Sequence, residues 1–215
     1  MTTEMVTYYA ERAAEYDRIY DIPPWRHGVQ VLQQRLPSFF AGRRVYEVAC
    51  GTGYWTQYIA QQAMSVYATD INETTLALAR ARSYGRARVT FQCADAYSPP
   101  DGPEKFEAGC AGFWLSHVDV SRMSDFLTAF HAPLQPNAVV CLFDERLSPR
   151  RRLPTSRTDA AGNRYEMRQL TNGSDFEIIK NFYTEQQFQE FFGAYGDELT
   201  YEELDHFWVF SYCVK

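Results

Sequence analysis

The chain of 215 residues contains no apolar run near the ~18 residues that a membrane-spanning helix needs, so no membrane association is expected. Its opening stretch, MTTEMVTYY, has no basic region followed by an apolar one, and no secretory leader is expected there. The five cysteines (Cys50, Cys93, Cys110, Cys141 and Cys213) are scattered and form no C-x-x-C pair, and the four histidines are isolated. That pattern argues against a disulfide framework or a zinc site and fits free thiols in a reducing cytoplasm; no metal is expected. Lysine is scarce, 3 Lys against 18 Arg, and the net charge is −6, so nucleic acid is not the expected partner. Disorder is excluded as the main state by a hydrophobic fraction of 46% and a charged fraction of 22%. Aromatic residues are abundant, with 15 Tyr and 15 Phe. They suit a well-filled core and a pocket for a flat or apolar ligand.

Residues 4–20 read as a helix carrying Tyr9, Tyr16 and Tyr20, ended by Pro23-Pro24, and a second helix covers 26–37 and stops at Pro37. Strand and helix then alternate: strand 43–50, a glycine turn, helix 54–63, strand 65–70, helix 72–85, strand 88–95, strand 106–115, helix 121–134 and strand 138–144. Short alternation with apolar strands predicts a parallel sheet covered on both faces. The rhythm breaks at 145–164, where Arg146, Arg150, Arg151, Arg152 and Arg157 form the densest basic run. It reads as a solvated loop or as a basic rim that attracts acidic ligands. Segments 165–171 and 175–183 flank Asn172-Gly173 and predict a hairpin. Helix 184–196, from the Thr184 cap to Gly196, and strand 206–214 complete the chain.

The chemistry concentrates in Val45-Tyr46-Glu47-Val48-Ala49-Cys50-Gly51-Thr52-Gly53-Tyr54-Trp55, a strand ending in an acid, a glycine turn and a helix start. Asp70 ends the next strand and Asp95 the third. One strand-end acid is usually a cap or turn former. Three in register beside a glycine turn line one sheet edge, where open parallel sheets bind ligands. They suit a ligand that presents an ammonium group, ribose hydroxyls and an exocyclic amine. A nicotinamide dinucleotide is the competing ligand. The run Gly51-Thr52-Gly53-Tyr54-Trp55-Thr56 lacks the third glycine of G-x-G-x-x-G, and Glu47 would sit unfavourably near a pyrophosphate.

Residues 43–119 resemble the class I, Rossmann-like S-adenosylmethionine (SAM)-dependent methyltransferases. YYAERAAEYD, ACGTGYWT, GFWLSHV and RQLTNGSDFEIIK further resemble a subgroup of bacterial small-molecule O-methyltransferases that includes the phosphonate O-methyltransferase of dehydrophos biosynthesis. The resemblance implies an α/β fold of one domain over 1–215: a mostly parallel sheet with helices on both faces, a helical lid at 1–37 and a cofactor-binding core at 43–144. An Arg-rich loop and inserted late β-hairpin would follow at 145–183, then a C-terminal helix and strand at 184–215. It implies SAM as cofactor, with Glu47 beginning the first motif, Ala49, Gly51 and Gly53 under the methionine part, Asp70 at the ribose hydroxyls, and Asp95 with Ala96 at the adenine; Trp55, Ile71, Tyr16 and Phe113 are assigned to the same site. Ala49 stands where the family has the first glycine of E-x-G-x-G-x-G. Tyr9 and Tyr16 would lie in the lid, and Arg168 and Lys180 on the hairpin would hold an anion.

His117, at the end of the fourth core strand, is a candidate general base or a histidine that shapes the pocket. The hairpin register decides whether the two cations share a face. A two-residue loop pairs 168 with 177 and separates them; a three-residue loop pairs 168 with 178 and joins them. The function expected is methyl transfer from SAM to a small anionic metabolite, a carboxylate or phosphonate, on oxygen. The alternatives are N- or S-methylation of an aromatic molecule, or a non-catalytic SAM-binding module. The chain is expected to be cytoplasmic, as a monomer or homodimer.

Overall fold

Five strands, β1 (Arg44–Val48), β2 (Ser65–Asp70), β3 (Arg88–Cys93), β4 (Phe106–Gly112) and β5 (Leu134–Glu145), pair in parallel in the order β3-β2-β1-β4-β5. The computed structural model describes residues 3–99, 105–148 and 153–215. The chain runs outward from β1 to β3 and returns to β4 on the other side of β1, so strand order reverses between β1 and β4. Ligands bind at the carboxyl ends of such a switch point. β10 (Phe207–Val214) joins β5 antiparallel and β9 (Gly196–Glu203) joins β10, completing a seven-stranded sheet. β9 was not expected: DELTYEE is acidic and half exposed on the sheet edge, so it shows no apolar alternation.

The α-helices are α1 (Thr3–Arg12), α2 (Pro23–Phe39), α3 (Thr56–Ile59), α4 (Glu73–Arg80), α5 (Met123–His131) and α6 (Glu185–Phe192). One core lies around Phe126, Phe130, Phe188 and Phe210, the other around Leu32, Phe40, Ile59 and Phe143. Both faces of the sheet are covered, as apolar strands require.

Several boundaries differ from expectation. The first helix changes to a 3-10 helix over Ala13–Asp21, long for that geometry. Pro23 and Pro24 open α2 instead of only ending its predecessor, because a proline at the first helical positions forfeits no intrahelical bond. Pro37 lies within the last turn, and α2 continues to Phe39. The helix predicted over 54–63 is reduced to α3, and those over 72–85 and 121–134 close earlier, at Arg80 and His131. β5 starts earlier, at Leu134, and carries Pro136.

The late hairpin is part of a second sheet of three antiparallel strands, β6 (Arg157–Thr158), β7 (Arg164–Gln169) and β8 (Asp175–Ile179). Its register pairs Arg168 with Phe176, which neither loop length considered from sequence gives. The loop spans 170–174, with Leu170 N donating to Ser174 O at 2.9 Å. Lys180 N donates to Arg164 O at 2.8 Å, extending the pairing, so 168 and 180 fall on one face. α1 packs on this sheet through Met5 and Tyr8 against Ile178 and Ile179. Of the Arg-rich run, Arg150, Arg151 and Arg152 lie outside the described residues. Arg146 pairs with Glu203 at 2.6 Å and Arg157 with Glu177 at 2.6 Å, so these two are surface ion pairs.

Candidate functional site

The carboxyl ends of β1, β2 and β4 enclose a cavity beside the glycine turn. Ala49, Gly51, Trp55, Asp70, Ile71, Phe113 and His117 line it, and Tyr9 and Tyr16 cover it from the N-terminal segment. A small recess continues from Ala49, Asp70 and Ile71 to Asp95 and Ala96. Most of the residues expected at a cofactor thus meet along one sheet edge. Gly53 does not: it faces α4, where Ala79 and the Tyr84 hydroxyl occupy the space of a side chain. Glu47 lies beneath the turn, 2% exposed, and lines neither cavity. Sequence reasoning missed Tyr20, Thr52, Tyr54, Asn72 and Trp114 on the cavity wall. Tyr20 follows Tyr16 by four residues and their ring centroids lie 6.0 Å apart, a spacing that an α-helical reading of the sequence puts on one face.

The turn is built around Asp70. Its carboxylate accepts from the backbone N–H groups of Gly51 and Asn72, both at 2.8 Å, and from Thr75 Oγ1 at 3.2 Å. Burial raises its pKa, opposed by these donors. Burial also pushes the Glu47 carboxyl up to about 8, and its Oε2 has no hydrogen-bond partner. Ala49 adopts φ +55° and Phe113 φ +55°, left-handed conformations that cost an L-residue about 1–2 kcal/mol. Both line the cavity, where backbone strain commonly gathers. A Cβ added at Gly51 would meet nothing within 4 Å, so the space above the turn is open. The open cradle at Gly51 and the carboxylates of Asp70 and Asp95, along the cavity and its recess, match the donor groups of S-adenosylmethionine.

The N-terminal segment closes this cavity through named contacts. Asn72 Nδ2 donates to Val6 O at 3.0 Å. Thr52 Oγ1 donates to Asp17 at 2.6 Å, and Arg82 pairs with the same carboxylate while donating to Thr52 O at 2.7 Å. Tyr20 stacks on Tyr54 with ring centroids 4.1 Å apart.

A second, larger cavity of about 630 Å³ adjoins the first. Tyr9, Tyr16, Phe113 and His117 line both. Arg168 and Lys180 are both on its wall, together with Arg12, Trp25, Glu145 and His206, which sequence reasoning missed. Arg12 shares the helical face of Tyr9 and Tyr16 and could have been found by spacing. Glu145 and His206 come together only through antiparallel pairing of β5 with the chain entering β10.

His117 Nδ1 lies 2.6 Å from Ile179 O and Nε2 lies 2.8 Å from Tyr9 Oη. A carbonyl only accepts, so Nδ1 carries the proton and Nε2 accepts from the Tyr9 hydroxyl. Burial, with Lys180 nearby, pushes the imidazole down to about 3 and keeps it neutral. Burial likewise moves the Tyr9 phenol well above its ordinary range. Lys180, 4% exposed, donates to Ser116 Oγ at 2.9 Å and Asp144 at 3.0 Å, with Glu145 at 3.7 Å. Arg168 donates to Glu166 at 2.7 Å, and its buried Nε has no partner.

Residues 45–137 match the family described as a methyltransferase domain, and the fold, with its glycine turn and strand-end acids, is the Rossmann-like fold of class I, SAM-dependent methyltransferases. The chain is similar along almost its whole length to DhpI. In a complex of that protein with SAM and HEP the TM-score is 0.79 at 25% identity, covering 99% of this chain and 96% of that one. In its complex with S-adenosylhomocysteine (SAH) the values are 0.77 and 26%, covering 97% and 94%. A demethylmenaquinone methyltransferase of Clavibacter sepedonicus is 36% identical over 94 residues, 44% of this chain and 37% of that protein. The chain thus matches well under half the length of this curated relative. The 1,6-didemethyltoxoflavin-N1-methyltransferase of Burkholderia thailandensis shares the fold, with a TM-score of 0.64 at 17% identity over 99% of this chain and 88% of that one.

Proposed function

We propose that the chain transfers the methyl group of SAM to an oxygen of a small anionic acceptor, a carboxylate or phosphonate. The observation that carries this reading is the Arg168 side chain on the larger cavity, with a buried Nε left without a partner, in a cavity that shares four wall residues with the cofactor cavity. Likeness to DhpI over almost the whole chain supports methyl transfer to a small molecule.

When bound, SAM supplies a methyl group on an already activated sulfonium leaving group. Asp70 and Asp95, on the cavity and its recess, would hold its ribose and adenine ends. The chain's own contribution is alignment and exclusion of water. Tyr9 and His117 form the wall between the cavities, with Tyr9 Oη fixed by His117 and His117 fixed by Ile179 O. An ionised carboxylate or phosphonate needs no general base, which agrees with an imidazole whose lone pair is already engaged. Lys180 offsets one of the two negative charges of Asp144 and Glu145 behind the acceptor and so weakens their repulsion of an anion.

The test is methyl transfer from isotopically labelled SAM to a panel of carboxylic acids, phosphonic acids, aromatic amines and thiols. Base-labile methyl esters from the acids are expected. Labelling confined to amines or thiols, or SAM binding without turnover of any acceptor, would overturn the reading. Replacing Arg168 by Ala should raise KM for the acid roughly ten- to hundredfold, as loss of a charge-assisted hydrogen bond does. Unchanged kinetics would remove Arg168 from the site.

A further inference from the structure

Three cationic side chains, Arg12, Arg168 and Lys180, line the larger cavity, and their counter-charges differ. Lys180 lies against Asp144 and Glu145, and Arg168 against Glu166, a carboxylate only 1% exposed. Both meet a ligand already neutralised. Arg12 does not. Its Nη1 donates to the Tyr8 hydroxyl at 2.7 Å, and its guanidinium carbon lies 5.6 Å and 5.2 Å from the ring centroids of Tyr8 and Tyr16. Among the described residues no carboxylate pairs with it. A guanidinium has five N–H donors in a fork that matches carboxylate and phosphonate oxygens. Ring faces hold the Arg12 cation in place and leave that fork available.

We propose that Arg12, carried by the N-terminal helix, anchors the anionic group of the acceptor, so that the acceptor is gripped from the lid and its binding holds the lid closed. The wall made by Ile22, Trp25 and Leu153 is apolar and lies in the same cavity. The acceptor is therefore an acid with an apolar or aromatic body. This inference rests on the anionic-acceptor reading and adds to it the residue that supplies the charge. It also gives the guanidinium a place on the segment that covers both cavities, so that one residue links acceptor binding to that cover.

The experiment is isothermal titration of the SAH-saturated protein with phenylacetate and benzylphosphonate, and with phenylacetamide as the uncharged counterpart. Wild type should bind the two anions in preference to the amide. Arg12→Gln should weaken both anions on the order of ten- to hundredfold, leave amide and SAH affinities within about twofold, and Arg12→Lys should recover part of the loss. Anion affinities within twofold of wild type in Arg12→Gln would overturn the inference. So would an equal loss for the amide, which would make Arg12 a structural support of the lid. Wild type binding the amide as tightly as the anions, or binding no anion, would sink the anionic-acceptor reading and this inference with it; wild type alone reveals that outcome, before any variant is measured.

Discussion

Gly51 and Gly53 share a backbone sign, with φ +56° and +74°, yet have different surroundings, so alanine at each should fail in a different way. Placing an L-residue in the left-handed region costs about 1–2 kcal/mol, offset by about 0.4–1 kcal/mol from the smaller unfolded-state entropy of alanine. At Gly51 nothing lies within 4 Å of the new methyl, so a net stability loss of about 1 kcal/mol is the whole effect. At Gly53 the methyl would fall 2.2 Å from the Tyr84 hydroxyl, 3.0 Å from Ala79 Cβ and 3.2 Å from Ala79 Cα. Tyr84 is held there by a 2.7 Å bond to Ala79 O, and the Ala79 backbone belongs to α4, so neither neighbour yields easily. Overpacking of this kind adds about 1–3 kcal/mol, giving about 2–4 kcal/mol in total. Urea denaturation of the ligand-free proteins measures both losses, and titration with SAH measures affinity. The outcomes should cross. Gly51→Ala is the more stable variant but loses at least about tenfold in SAH affinity, because its methyl enters the cavity. Gly53→Ala loses mainly stability. Equal stability losses, or an SAH affinity untouched in Gly51→Ala, would refute the division of roles.

Two further outcomes follow from the electrostatics. Asp17→Asn removes the charge that holds Thr52 and Arg82 to the 3-10 segment; with both partners about a third exposed, it should cost about 1 kcal/mol and speed SAH release several-fold, and an unchanged release rate would dissociate Asp17 from lid closure. Glu47 is shifted up to about 8 in the folded chain, so folding binds a proton that the unfolded chain releases above its ordinary value of about 4.5. The stability of the ligand-free protein should therefore fall as pH rises from about 4.5 to about 8 through this group. In Glu47→Gln that component disappears, seen as a flatter difference curve in urea denaturation across this range; superposable pH profiles would count against a buried, protonated Glu47. His117 is shifted down to about 3 and acts in the opposite sense, its contribution being lost as pH falls below about 6.5.

The sheet core was legible because β1, β2, β4 and β5 carry short apolar runs separated by helices, and because the strand-end acids occur at regular separation. Boundaries were less legible where proline was read only as a terminator: Pro23 and Pro24 begin α2 and Pro37 sits inside it. The sequence carried enough to find Tyr20 and Arg12, which repeat the helical spacing of Tyr9 and Tyr16. It did not carry the neutralisation of Lys180, since Asp144 and Ser116 reach it from β5 and the turn after β4, 36 and 64 residues away. Nor did it carry the hairpin register, because a five-residue loop leaves pairing to the side chains on either face. Gly53 looked like a ligand-facing glycine only because its packing partners, Ala79 and Tyr84, lie beyond the next strand.

The larger cavity draws few of its walls from the sequence core of the molecule. Of its wall residues only Phe113 and His117 fall within 45–137, the stretch that matches the methyltransferase domain. Every other wall residue belongs to the N-terminal segment or to the chain after β4. Of the cofactor cavity's walls, by contrast, all but Tyr9, Tyr16 and Tyr20 fall within 45–137. Arg168, Lys180 and His206 line the larger cavity alone, so changes there can reshape it without touching a wall of the cofactor cavity. Kinship measured over the core therefore forecasts the donor, whereas inheritance of the acceptor must be traced through the lid and the small second sheet.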